Sequence, residues 1–219
     1  MGKLLSIVTP LHKSTKRDYI GRMTDGKVDC MKVARKFDRD FWDGDRRHGY
    51  GGYHYDGRWS VVAERIIKTY GLNESSRILD VGCGKGFLLH ELKRLLPGAT
   101  IAGIDVSTYA IENAKEDVKQ YLAIARAEWP YPFDDNEFDL VISITTLHNL
   151  HMPRLETALN EIERVGKHKY IVVEGYRTEE ELFNLQCWAL TCEAFLTPEG
   201  WRWVFGKCGY TGDYEFIYF

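Results

Sequence analysis

One turn of the chain, Asp80-Val81-Gly82-Cys83-Gly84-Lys85-Gly86, places three glycines at alternate positions behind a carboxylate. Glycine lets a backbone turn sharply and approach a ligand closely, and a helix starting behind such a turn offers free N–H groups. Asp105 follows 23 residues after Gly82, at the end of a second apolar run. A carboxylate there can accept both hydroxyls of a ribose, which specifies an adenosine-type ligand. The spacing also excludes two other nucleotide sites. A G-x-G-x-x-G fingerprint would need its third glycine at Phe87, and no G-x-x-x-x-G-K-[ST] is present, so Lys85 is not a phosphate-loop lysine.

Three further groups have the residue types for chemistry. His148 and His151 follow a long apolar run, and an imidazole with a pKa near 6.5 suits proton removal at neutral pH. Either is a candidate base, the alternative being that they pack or cap the turn before Pro153. Glu174, Tyr176 and Arg177 follow a later apolar run, and their carboxylate and guanidinium suit an acceptor hydroxyl and an anionic group. The stretch from Asp38 to Trp59 holds five glycines, six aromatics, two histidines and four arginines. Arg46, Arg47 and Arg58 supply anion forks and Tyr53 and Tyr55 stacking faces, the parts of a substrate-binding lid. Its bland alternative is an extension packed on the domain for stability, or a dimer contact.

These residues need a scaffold, and the pattern supplies one. Apolar runs at 77–81, 100–104, 121–125, 138–145, 170–174 and 214–219 read as strands. Between them, 60–70, 87–96, 109–118, 155–165, 179–194 and 198–208 read as helices, with a weaker one at 28–37. Alternating strands and helices with continuous apolar strands predict a doubly wound α/β domain, its mostly parallel sheet covered on both faces. Ligands bind outside the carboxyl ends of such strands, where the strand order reverses. Residues 1–59 form an N-terminal arm and lid, and residues 60–219 the main domain. Trp201 and Trp203 cannot share a helix face, so one of them is exposed or at an interface.

Composition narrows the classes. The 219 residues are 44% hydrophobic and 28% charged with a net charge of −3, which fits a globular protein with no overall pull toward nucleic acid or acidic membranes. No apolar run approaches a membrane span. Five scattered cysteines form no metal pattern and fit reduced thiols in a cytoplasm. The first sixty residues carry 13 Lys/Arg against 8 Asp, a local excess of +5.

ILDVGCGKGFLLHEL (78–92), IAGIDVS (101–107) and WPYPFDDNEFDLVISITTLHNL (129–150) resemble, in order, three motifs of the class I S-adenosylmethionine-dependent methyltransferases, small-molecule branch. The resemblance covers residues 60–175. It implies a Rossmann-like methyltransferase fold and S-adenosylmethionine as cofactor, converted to S-adenosylhomocysteine. It places Gly82, Cys83, Gly84 and Gly86 around the methionine and ribose, Asp80 behind the methionine amine and Asp105 on the ribose. It also places Val106 on adenine, Ser143 with its carbonyl toward the amine, and Leu147 beside it. Two departures stand out. The adenine-reading position holds Ala127-Glu128, so either Glu128 substitutes or the backbone of Ala127 acts alone. One strand follows the last helix where the family has two, so the sheet has six strands or seven.

The implied function is methylation of a small polar acceptor, with an O-linked sugar-type substrate suggested by the lid; the 38–59 segment resembles a branch associated with bacterial surface polysaccharides. Two alternatives remain. One is an RNA methyltransferase using the basic arm, disfavoured because Ser143-Ile144-Thr145-Thr146 is not the Asn/Asp-Pro-Pro-aromatic type. The other is a non-catalytic cofactor-binding subunit.

Overall fold

A computed structural model describes residues 2–13 and 16–219; Met1, Ser14 and Thr15, part of the expected arm, lie outside the described residues. The chain begins with four short helices, α1 (Thr9–Lys13), α2 (Tyr19–Thr24), α3 (Lys27–Ala34) and α4 (Arg39–Trp42), and a 3-10 turn at Arg46–His48. It continues α5 (Ser60–Tyr70), β1 (Arg77–Val81), α6 (Phe87–Leu95), β2 (Thr100–Asp105), α7 (Thr108–Glu112), α8 (Glu116–Lys119) and β3 (Leu122–Ile124). Then come β4 (Phe138–Ile144), α9 (Met152–Val165), β5 (Gly166–Glu174), α10 (Glu179–Trp188), α11 (Pro198–Lys207) and β6 (Asp213–Ile217).

The six strands form one sheet in the order β3-β2-β1-β4-β5-β6, every pair parallel. The strand order reverses between β1 and β4, so the crevice for a ligand opens above Val81 and Ile144. Alternation along the strands sorts side chains to two faces. Leu140, Ile142 and Ile144 of β4 join Val62 and Ile66 of α5 and Leu89 and Leu92 of α6 in one core. Val141 joins Leu155, Leu159 and Ile162 of α9 and Trp201 and Phe205 of α11 in the other, to which Phe138, the first residue of β4, also belongs against the alternation. Trp201 is fully buried and Trp203 is 63% exposed, as their spacing requires.

Two expected helices differ in extent. The helix expected over 109–118 divides into α7 and α8, because the Lys115 N–H donates to the Lys85 carbonyl at 3.1 Å instead of continuing the helix. The helix expected over 179–194 stops at Trp188, where Lys27 Nζ donates to the carbonyls of Gln186, Cys187 and Ala189 at 2.8, 2.6 and 2.7 Å. A cation at a helix C-terminus satisfies carbonyls that have no helical partner and opposes the dipole.

The described residues before α5 do not extend from the domain as a free arm. Leu4 forms a parallel bridge to Tyr214 on the edge of β6, and Ile7 and Val8 enter the α5–α6 core. The agent is Glu215, 1% exposed in the sheet. Its carboxylate accepts from the N–H groups of Ile7 (2.5 Å), Val8 (3.0 Å) and Thr9 (2.5 Å) and from the Tyr170 hydroxyl (2.5 Å). Burying a carboxylate is tolerated only when its lone pairs are filled, and four donors fill these. Replacing Glu215 with Ala strands those donors; the expected loss is about 3 kcal/mol of unfolding free energy in urea titrations.

Candidate active site

The glycine turn leaves β1 at the point where the strand order reverses. Gly82 has φ +85°, and a Cβ there would lie 1.9 Å from Thr146 Oγ1. Gly84 has φ +53°, and its Cβ would meet the Trp42 ring at 2.9 Å. Both positions therefore exclude other residues on backbone conformation and on space. Behind the turn α6 starts at Gly86 with no side-chain cap. Asp105, at the end of β2, accepts from Gly84 N through Oδ2 and from Ser107 N through Oδ1, each at 2.8 Å. Each oxygen keeps a lone pair for a ligand hydroxyl. Asp80 is buried, and no donor among the described residues reaches its carboxyl. Burial and the nearby Asp105 push its pKa up to about 7, a setting suited to a cationic ligand group.

Two cavities meet over this turn. One of about 320 Å³ lies toward β2 and β3 and is lined by Asp105, Val106, Ala127, Glu128, His151 and Arg154. The other, about 470 Å³, lies toward β5 and is lined by Asp80, Cys83, His148, Glu174, Trp188 and arginines of the N-terminal segment. Gly82, Gly84, Trp42, Tyr50, Ile144 and Thr145 stand at or near their junction, all but Gly84 lining both. Thr145 has φ +52°, an outlier for a β-branched residue, which costs about 1–3 kcal/mol. Such strain at a strand end marks a position held by its surroundings for a purpose.

A cover folds over the junction. Asp43 accepts from Lys85 Nζ (2.6 and 2.8 Å), Tyr53 N (3.0 Å) and the Tyr109 hydroxyl (3.0 Å). Burial alone would raise its pKa, but hydrogen bonds from Lys85, Tyr109 and Tyr53 outweigh that and hold the carboxyl below its usual range. Trp42 Nε1 donates to Ser107 Oγ at 2.8 Å, and its ring stacks on Tyr50 at 5.3 Å. Lys85, silent as a phosphate lysine, is the tie between the glycine turn and this cover. Nothing in its sequence context names Asp43 as its partner 42 positions away.

On the far wall Glu174 ends β5, and its Oε2 lies 3.4 Å from His148 Nε2. Burial lifts the Glu174 pKa to about 7, with Arg17 opposing, and lowers that of His148 to about 3. The His148 carbonyl accepts from Glu193 N and Ala194 N at 2.9 Å each, fixing the residue against the segment after α10. His151 is apart from this pair, exposed before α9 and facing the smaller cavity.

The other expected site residues divide. Arg46, Tyr53 and Arg58 line the larger cavity, Arg58 paired with Asp56. Arg47 is bound to Asp25 at 2.9 Å, outside both cavities. Tyr55 turns to Glu91 at 2.6 Å and packs on Phe87 and His90. Arg177 pairs with Glu181 and lies over Tyr218, and Tyr176 lines neither cavity. Ser143 and Leu147 are fully buried; Ser143 Oγ donates to the Val81 carbonyl, and Leu147 packs in the core. At the adenine-side position Glu128 is paired with Arg126 at 2.7 Å, and the Ala127 carbonyl accepts from Tyr131. Sequence reasoning missed Arg17 and Arg22, which the fold brings to the larger cavity beside Trp188 from positions far apart in the chain.

Comparison with known proteins identifies the family. A family model described as a methyltransferase domain matches residues 72–207, and the chain belongs to that family, of the class I S-adenosylmethionine-dependent type. It is similar to sterol 24-C-methyltransferase ERG6B of Gibberella zeae, 33% identical over 108 residues, 47% of this chain and 28% of that one. It is also similar to the mitochondrial arginine-hydroxylase NDUFAF5 of Mus musculus, 33% identical over 130 residues, 58% of this chain and 36% of that one. The matches thus span about a third of these relatives. The solved YcgJ protein of Bacillus subtilis shares the fold, with TM-score 0.54 and 20% identity over 67% of this chain and 66% of that one.

Replacing Asp105 with Ala is expected to weaken S-adenosylhomocysteine binding by about 1.5–3 kcal/mol, read by calorimetry, since hydrogen bonds to a charged acceptor have that worth.

Proposed function

We propose that the chain transfers a methyl group from S-adenosylmethionine to a hydroxyl of a small polar acceptor of the sugar type, held in the larger cavity. The observation that carries this reading is the position of Glu174, whose carboxyl ends β5 and faces the same cavity as the glycine turn.

S-adenosylmethionine supplies a methyl group bonded to a positively charged sulfur. The residues present fit that molecule: Asp105 would take the ribose hydroxyls, Asp80 the ammonium group, and Val106, Ala127 and Glu128 would border the adenine. The two glycines let the backbone lie close beneath. Trp42 and Tyr50, held by the Asp43–Lys85 tie, cover the junction, where a displacement needs in-line approach. The acceptor side has the size of a small-molecule pocket, with aromatic faces at Tyr50, Trp59 and Trp188 and polar groups between them.

Glu174 would take the proton of an acceptor hydroxyl facing the methyl group that S-adenosylmethionine would supply. A base with a pKa near the working pH is the efficient one. His148, whose pKa burial lowers, stands 3.4 Å behind the Glu174 carboxyl and backs it.

Glu174→Gln is expected to lower kcat by about 10²–10⁴-fold while leaving S-adenosylhomocysteine affinity unchanged. In the parent enzyme the rate should climb as pH rises through about 7, because Glu174 must lose its proton to act. A rate limb near pH 7 that survives in Glu174→Gln removes this residue from the role.

A further inference from the structure

The N-terminal segment brings arginines to the larger cavity in an uneven way. Arg35, Arg39, Arg47 and Arg58 each have a carboxylate within ion-pairing distance: Glu193, Asp40, Asp25 and Asp56. Arg22 and Arg46 have none among the described residues. They line the cavity with Arg17, and all three guanidiniums lie over the indole of Trp188, at 4.6, 4.9 and 5.5 Å for Arg22, Arg46 and Arg17. Their positions are fixed by the backbone. Arg22 Nε donates to the Trp188 carbonyl at 3.3 Å and its other nitrogens to the carbonyls of Arg46 and Gly49; Arg46 Nη1 donates to the Gly49 carbonyl at 2.5 Å.

Carbonyls orient a guanidinium without neutralising it. Burial and the adjoining Arg46 push the Arg22 pKa down to about 10, and burial also lowers those of Arg46 and Arg17. Like charges gathered against one aromatic ring repel, and the free energy of that arrangement is recovered when an anion enters. Of the carboxyls lining the same cavity, Glu174 feels the charge of Arg17. A molecule anchored at the arginines by an anionic end can therefore present a hydroxyl toward Glu174 and the glycine turn.

We propose that Arg22 and Arg46, with Arg17 beside them, form an oxyanion subsite that holds a phosphate or carboxylate group of the molecule to be methylated. This rests on the methyl-transfer reading and narrows its substrate to an anionic acceptor, such as a phosphorylated or acidic sugar. Trp188 is the platform that gathers the guanidiniums, and the bidentate geometry of guanidinium on oxyanion supplies the specificity.

The test is a thermal-shift titration of the full chain with inorganic phosphate and, separately, with malonate, at ionic strength held constant with chloride. Saturable stabilisation by phosphate supports a phosphate-bearing acceptor, and by malonate a carboxylate-bearing one. In Arg22→Gln/Arg46→Gln the affinity for the effective anion should fall about tenfold or more, whereas Arg39→Gln, altered on the outer surface, should match the parent. S-adenosylhomocysteine binding is read in the same samples. If it is retained in the double variant, the fold is intact and the loss belongs to the subsite. If the double variant does not fold, Arg46→Lys, which keeps the charge but not the fork, should weaken the anion about threefold. No saturable effect of either anion on the parent, or equal affinity in parent and variant, overturns the subsite. A parent that binds the anion but not S-adenosylhomocysteine overturns the methyl-transfer reading instead.

Discussion

The ion pair between Asp43 and Lys85 joins two parts of the molecule that the chain order keeps separate. Lys85 stands in the glycine turn and is 4% exposed; Asp43 follows α4 in the covering segment. A buried ammonium is costly unless its donors are filled, and here Asp43 takes two and the Tyr53 carbonyl a third at 3.0 Å. Through Asp43 the tie extends to Tyr109 and the backbone of Tyr53. Removing either partner leaves the other charge buried, so cover and turn stand or fall together. Both cavities depend on this, because Trp42 and Tyr50, part of the wall between them, belong to the covering segment.

That wall gives the site its division of labour. Toward β2, Asp105 and the residues after β3 suit a nucleoside; toward β5, Glu174, His148 and the arginines suit a polar acceptor. The strained Thr145 ends β4 between them, where its backbone N–H is still held by the Val172 carbonyl at 2.9 Å. A parallel sheet with its order reversing at β1 and β4 opens its crevice at this place, so topology and chemistry coincide.

The parts legible in the sequence were those carried by short-range pattern. Gly82, Gly84 and Asp105 could be read because a tight turn and a strand end constrain residue type locally. β1 and α5 could be placed to the residue because an apolar run bounded by polar residues or glycine has one reading. The single closing strand and the adenine-side departure at Ala127-Glu128 were visible for the same reason. What could not be read depends on contacts distant in sequence. Arg22 meets Trp188 across 166 positions, and Lys85 meets Asp43 across 42. Tyr55 and Arg177 had the residue types of a binding site, but Glu91 and Glu181 bind them away from both cavities. The 38–59 segment showed its glycines and aromatics but not the short α4, whose Asp38 cap is a local signal outweighed by the surrounding loop residues.

The central claim is that this chain methylates a small molecule bound between Glu174 and the glycine turn. Incubating it with methyl-labelled S-adenosylmethionine and an extract of its source cells, then separating small molecules, nucleic acid and protein, tests that claim most directly. The account predicts label in the small-molecule fraction, on a compound retained by anion exchange. Label confined to nucleic acid or protein, or none in any fraction while S-adenosylhomocysteine still binds, would contradict it.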